Sequence, residues 1–309
     1  MIRRQLTEDI RQINQSTEGP KNRSFFLVFL FFSFFAFLYS VFLPLFSVLC
    51  YAQAWQELKG DHFIVYYEKQ DERFAKDALR HSEHYYNDIA SDLGYVRYSG
   101  FWQWDKRVKV FIYPSQDSFL KATGQPSWSV GNANYDTKQI MGFTGSDEFI
   151  NSILAHEIAH LIFRDFVGFK GEVPLWLDEG VAQWQERPKR QLVKFFVRSL
   201  MKDGKLMKLK DLTAMDVRKV PGADEAKNFY IQAASLVGFM IEEHGPGKFA
   251  DFCRQLRDGK SLDDALRFAY PAQMRDLGEL EEKWLKYVSG IKVTVQRRSG
   301  DVMQTISYK

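Results

Sequence analysis

The sequence predicts an α+β fold: a small mixed sheet in its first half, then a mostly helical C-terminal lobe, all behind one N-terminal apolar segment. Three observations lead there. Stretches of period two, rich in β-branched and aromatic residues, recur between residues 62 and 143. After residue 150 the apolar side chains fall at helical spacing almost to the end. Residues 24–56 carry no charge.

The length of 309 residues allows one catalytic-sized domain of two lobes, and 45% hydrophobic with 26% charged residues is ordinary for a globular protein. The net charge is +3, but the first 54 residues hold five Lys/Arg against three Asp/Glu, leaving 37 against 36 beyond them. Such a balance gives no electrostatic footprint for nucleic acid, and none is expected as a partner. The two cysteines, Cys50 and Cys253, cannot build a disulfide framework, and Cys253 reads as a small buried apolar residue.

Residues 1–23 are polar, without a periodic apolar face, and read as a disordered cytoplasmic tail. Residues 24–54 read as a transmembrane anchor or a signal peptide. Phe25 to Tyr51 is almost continuously apolar, enough to span a bilayer core. Lys21 and Arg23 precede it, which predicts a cytoplasmic N-terminus and an extracytoplasmic remainder, periplasmic or external. The length favours an anchor, whereas Ala52-Gln53-Ala54 fits a cleavage site, so both remain open.

The domain proper is expected over 60–290, with a C-terminal tail over 291–309. His62 to Glu68 alternates and reads as a strand. Asp71 to Leu93 has helical period and Gly94 stops it. His81 and His84 lie three apart on that helix, as a second metal pair or as ordinary helix-face histidines. Phe101-Trp102-Gln103-Trp104 either lines a cleft or closes a packing cluster. Arg107 to Tyr113 is a second strand, Gly124 to Gly131 a loop, and Asn132 to Phe143 a hairpin.

The chemistry concentrates in Ile153-Leu154-Ala155-His156-Glu157-Ile158-Ala159-His160-Leu161-Ile162. His156 and His160 are four apart, so a helix projects both rings from one face, one turn apart. Two imidazole nitrogens at that spacing reach one ion at about 2 Å from each. Glu157 is rotated about 100° around the axis. It can lean over the site without being a ligand, as a general base acting on water must. This is the His-Glu-x-x-His pattern of zinc peptidases. Two imidazoles and a carboxylate in so apolar a helix require partners to offset their desolvation. A catalytic zinc usually takes a third protein ligand. The metzincin continuation is excluded, because Phe163 and Phe166 occupy its positions. The next candidate is Glu179, near the middle of a helix over Val173 to Trp184 that opens at Pro174.

His-Glu-x-x-His followed at this distance by Trp176-Leu177-Asp178-Glu179-Gly180-Val181-Ala182 resembles the gluzincin metallopeptidases, with thermolysin and the M1 aminopeptidases among them, and most of all the bacterial peptidase MA-like domains. The resemblance implies one zinc ion per chain, held by His156, His160 and Glu179, with Glu157 as general base. Thermolysin-like enzymes carry an Asp one turn after the Glu ligand to orient a histidine; here Gln183 stands there. It further implies a Tyr on the helical lobe as oxyanion donor, for which Tyr230 is the candidate and His244 a weaker one. The edge strand before the metal helix would pair with substrate, and Gln139 to Thr144 is the candidate for it.

The rest reads as helices: Gln191 to Lys202, Ala226 to His244, Gly247 to Arg257, Ser261 to Ala269 and Met274 to Val288, with Ile291 to Gln296 a short terminal strand. On the first of these, Arg190, Lys194, Arg198 and Lys202 form a stripe that either meets an anionic membrane surface or is simply solvated. The expected function is a zinc-dependent metallopeptidase, an endopeptidase or an aminopeptidase, acting outside the cytoplasm on a peptide or protein substrate; the lack of a clear acidic motif to capture a substrate amine favours the endopeptidase. The alternatives are a non-catalytic, membrane-tethered module that keeps the fold, and a zinc hydrolase of a non-peptide substrate.

Overall fold

The computed structural model describes residues 55–95, 102–168 and 173–291. The segments expected over 1–23 and 24–54, and the tail from 292, lie outside the described residues. Among the described residues no helix is long and apolar enough to cross a membrane. The described residues belong to one compact unit.

Five strands form one mixed sheet: β1 (Gln56–Lys59), β2 (Phe63–Tyr67), β3 (Val108–Tyr113), β4 (Gly131–Asn134) and β5 (Gln139–Phe143), in the order β1-β2-β3-β5-β4. The alternation in the sequence sets the faces. Phe63, Val65 and Tyr67 of β2 point inward opposite Val108, Val110 and Ile112 of β3, in parallel register. β1 and β4 run antiparallel to β2 and β5 and close the two edges. Trp55 packs edge-on against Phe111 and Tyr113, so the folded unit begins ahead of residue 60.

This topology corrects one expectation. Gln139 to Thr144 holds β5, which is bonded to β3 on one side and to β4 on the other. It cannot accept a further strand. The edge on that side of the sheet is β4, Gly-Asn-Ala-Asn, the first strand of the expected hairpin.

Ten α-helices lie among the described residues. α1 (Glu72–Asp92) crosses the sheet at β2. α2 (Gln116–Thr123), absent from the sequence reading, starts in a capping box between Ser115 and Ser118. A π-helical turn, Phe149–Ile153, leads into α3 (Leu154–Val167), and α4 (Leu175–Gln185) returns against it. The helical lobe comprises α5 (Arg190–Lys202), the short α6 (Leu209–Ala214), α7 (Ala223–His244), α8 (Pro246–Arg257), α9 (Leu262–Ala269) and α10 (Leu277–Gly290).

α7 is the pillar of that lobe, buried almost continuously from Phe229 to Met240 and packed against α4, α5 and α8. α4 and α7 approach closely because each offers a glycine. A Cβ on Gly180 would lie 2.7 Å from the Ala233 carbonyl oxygen, and one on Gly238 would lie 2.6 Å from the Trp184 ring. That approach holds the residue before Gly180, Glu179, in place.

Candidate metal centre

α3 is buried on nearly all sides, so its three polar groups have protein neighbours rather than bulk water. His156 Nε2 and His160 Nε2 are 3.2 Å apart. Glu179, brought in by α4, places Oε2 3.8 Å from each. Among the described residues this is the one group of three His, Cys, Asp or Glu side chains whose donor atoms converge, all within 4.8 Å of one another. Two nitrogens bonded at 2.0–2.1 Å to a tetrahedral ion stand about 3.3–3.4 Å apart. The spacing and the two-nitrogen, one-carboxylate chemistry therefore fit zinc.

The opposite ring nitrogens confirm which atoms are free to coordinate. His160 Nδ1 lies 2.9 Å from Asp178 Oδ1, and Arg164 donates to Asp178 Oδ2 at 2.6 Å. His156 Nδ1 lies 2.9 Å from Glu186 Oε1. Lys189 Nζ is 2.7 Å from Glu186 Oε2, which also accepts from Ser152 Oγ. Burial alone would raise both carboxyls, but their partners prevail: His160 and Arg164 bring Asp178 down to about 2, and His156 and Lys189 bring Glu186 down to about 2. An ionised carboxylate only accepts, so each Nδ1 carries a proton and Nε2 is the nitrogen left to face a metal. Burial lowers the His160 imidazole, yet Asp178, Glu179 and Glu157 outweigh it and push it up to about 9 with no cation bound. A divalent cation would take the place of that proton.

These carboxylates answer the question that Gln183 raised. Gln183 Nε2 approaches His156 Nδ1 only to 3.5 Å. Orientation of His160 comes from Asp178, beside the third donor, and orientation of His156 from Glu186, seven residues after it.

A cavity of about 200 Å³ opens over the three donors. Glu157 lines it while only 3% exposed, as its rotation on the helix predicts. Tyr230 of α7 lines it too, its phenol held protonated by burial and by the nearby Glu179 carboxylate. The sequence-predicted residues His156, Glu157, His160, Glu179 and Tyr230 thus meet at one cavity. His244 does not: it lines a separate hollow at the end of α7, with its ring against Phe239 and Tyr270.

Sequence reasoning missed Tyr135. It follows β4, sets its ring edge-on to His160 at 5.7 Å, and carries the Arg164 guanidinium 4.5 Å above it. Burial first, then Glu157, Asp178 and Glu179, hold its phenol protonated. Asn132 and Ala133 of β4 line the same cavity. A second groove of about 530 Å³ shares Asn132, Ala133 and Tyr135 with it and continues past Asp136 and Arg164.

Other sequence candidates resolve as structure. His81 bonds the Asp77 carbonyl and His84 pairs with Asp88, and among the described residues no three-donor group forms around them. Trp102 is buried against Phe63 and Tyr86, its indole N–H donated to Asp165, while Trp104 is 79% exposed. On α5, Arg190 binds Asp92 and Lys194 binds Glu242, so half of the basic stripe is already paired within the protein.

The profile of the Peptidase MA superfamily matches residues 97–290. Among solved structures the chain is similar to yeast LTA4 hydrolase in complex with bestatin, at 16% identity over 80% of this chain and 41% of that one, TM-score 0.43. It is also similar to an M1 zinc metallopeptidase from Deinococcus radiodurans, at 15% identity over 80% of this chain and 53% of that one, TM-score 0.36. The chain thus spans about half the length of these structures. A search of curated proteins finds no match. With the profile covering well over half of its residues, the chain belongs to the Peptidase MA superfamily.

Proposed function

We propose that the protein is a zinc-dependent metallopeptidase that hydrolyses peptide bonds. The convergence of His156 Nε2, His160 Nε2 and Glu179 Oε2 beneath one cavity carries the reading. Zinc held by these donors supplies Lewis-acid polarisation of a carbonyl and lowers the pKa of a bound water to about 7. The chain's own residues do the rest. The Glu157 carboxylate takes a proton from the attacking water and delivers it to the leaving amide nitrogen. The Tyr230 hydroxyl, which lines the cavity, donates to the developing oxyanion. The free edge of β4 offers its N–H and C=O groups to the substrate backbone. The groove running on past Asp136 and Arg164 supports an extended segment of chain, hence an endopeptidase. The charge asymmetry around Phe25 to Tyr51 supports action outside the cytoplasm, with membrane attachment where that segment is retained.

The deciding experiment pairs two variants. Glu157→Gln should keep stoichiometric zinc and lose about 10²- to 10⁴-fold in turnover on a peptide cleaved by the wild type. Glu179→Gln should release zinc. Zinc without peptide hydrolysis in the wild type would leave a binding module or a hydrolase of another substrate. Unchanged turnover in Glu157→Gln would end the peptidase mechanism.

A further inference from the structure

Arg164 stands four residues after His160 on α3, so its side chain leaves the helix on the same face, one turn further on. It reaches the groove of about 530 Å³ that runs on from the metal cavity. Asn132, Ala133 and Tyr135 line both spaces, so a chain lying across the candidate metal centre passes this guanidinium within a few residues. The guanidinium is held from two sides. Nη2 donates to Asp178 at 2.6 Å, and Cζ lies 4.5 Å from the centre of the Tyr135 ring. A guanidinium has five N–H donors, and Asp178 takes one of them. Nε is buried without a hydrogen-bond partner among the described residues, while the side chain as a whole is 36% exposed and open to a group arriving from the groove. Among the described residues that line the groove, Arg164 is the only cation; Lys138, on the adjoining turn, is spent on Asp165. Asp136 is the only carboxylate there, but it is exposed at the hairpin turn, where water and salt screen it. The guanidinium sits half-buried on an aromatic face, where a charge-assisted hydrogen bond is stronger.

We infer that Arg164 is a specificity-determining residue that takes a carboxylate of the peptide substrate, an acidic side chain or a free C-terminus, in the groove beside the metal centre. The inference rests on the reading of the site as a metallopeptidase. The planar fork of a guanidinium matches the two oxygens of a carboxylate. A neutral amide in the same place offers one acceptor and turns its own N–H groups against donors. The preference therefore shows as a difference between Glu and Gln, or between terminal acid and terminal amide, which are alike in size and shape.

The test uses the full chain and fluorescently labelled peptides of neutral residues, with Glu, Gln or Lys placed in turn at each position and the C-terminus free or amidated. Binding to the metal-free protein is read by fluorescence anisotropy, which needs no turnover. Glu at one position should bind about tenfold more tightly than Gln there, the usual worth of one hydrogen bond to a charged group, and Lys should bind worst. If the carboxylate is the terminal one, the free acid should exceed the amide by that factor, with Glu and Gln alike. Arg164→Gln should bring either ratio to about one. Arg164→Lys keeps a cation beside Asp178 but loses the fork, so it covers the case in which Arg164→Gln does not fold, and it should also reduce the ratio. The absence of a carboxylate preference at every position overturns the inference, and so does a preference that persists undiminished in whichever variant folds. Cleavage of these peptides by the zinc-loaded wild type with no such preference would keep the peptidase reading and remove Arg164 from it. Carboxylate binding that depends on Arg164, without cleavage, would remove the peptidase reading and keep the carboxylate site.

Discussion

Gly180→Ala probes whether the contact between α4 and α7 sets the geometry of the third donor. The added Cβ would sit 2.7 Å from the Ala233 carbonyl oxygen, 2.9 Å from its carbon and 2.9 Å from Val237 Cγ2. Ordinary contact begins at 3.4 Å, so the two helices must separate by about 0.7 Å, the difference between 3.4 and 2.7. The two Ala233 atoms are backbone, so no rotamer change relieves them. Overpacking of this sort costs about 1–3 kcal/mol, against a helix-propensity gain of about 1 kcal/mol for Ala over Gly. The expected net change is a destabilisation of up to about 2 kcal/mol in urea unfolding of the metal-free protein. The functional effect should be larger in proportion. Glu179 adjoins Gly180, and ligand distances are tolerated only within about 0.2 Å. Zinc affinity measured by chelator competition should fall by at least about tenfold. Gly247→Ala in α8 is the control: a Cβ there meets nothing within 4 Å, and stability should hold or rise slightly. A Gly180→Ala protein with wild-type stability and zinc affinity would refute the claim that this contact positions Glu179.

Four further outcomes are expected. His160→Ala should abolish stoichiometric zinc in elemental analysis of protein purified without chelator. Tyr230→Phe should keep zinc and lower kcat about 10²- to 10³-fold, the usual worth of one oxyanion donor. For the metal-free protein, Glu186 is depressed from 4.5 to about 2 by folding, so the stability it contributes is present above pH 4.5 and lost as pH falls through about 2; acid unfolding followed by circular dichroism should show that loss, and Glu186→Gln should flatten it. A reporter fused after Lys309 that is active only when exported should be active, and a fusion working in the cytoplasm would contradict the topology read from Lys21 and Arg23.

The parts of the site legible in the sequence are those written at helical spacing. His156, Glu157 and His160 share one helix, and Glu179 sits in a second whose apolar pattern is plain. The parts that were not legible depend on pairings across the fold. Glu186 reaches His156 over 30 residues, and nothing in Gln183-Trp184-Gln185-Glu186 distinguishes that carboxylate from a solvated one. Tyr135 reads as an ordinary hairpin aromatic until the turn after β4 lays it against His160. The strand order escaped for the same reason: the hairpin 132–143 was evident, but which of its strands faces outward depends on β3 pairing with β5. α2 was missed because its signal is a pair of serines rather than an apolar period.

The brevity of β4 has a kinetic consequence. Four residues span about 13 Å, and on an edge strand only alternate residues turn their N–H and C=O outward. Roughly two residues, hence about four hydrogen-bonding groups, remain for an incoming strand. At about 0.5–1.5 kcal/mol net each they contribute about 2–6 kcal/mol, no more than the rigid-body freedom lost on association, about 4–15 kcal/mol. Backbone pairing at this edge therefore aligns a chain without retaining it. Residence must come from side chains settling into the cavity, and a product that has lost half of those contacts departs quickly. The same shortness, with two asparagines and a glycine, makes the edge a poor template for a neighbouring sheet, so an open strand beside the candidate metal centre carries little hazard of self-association.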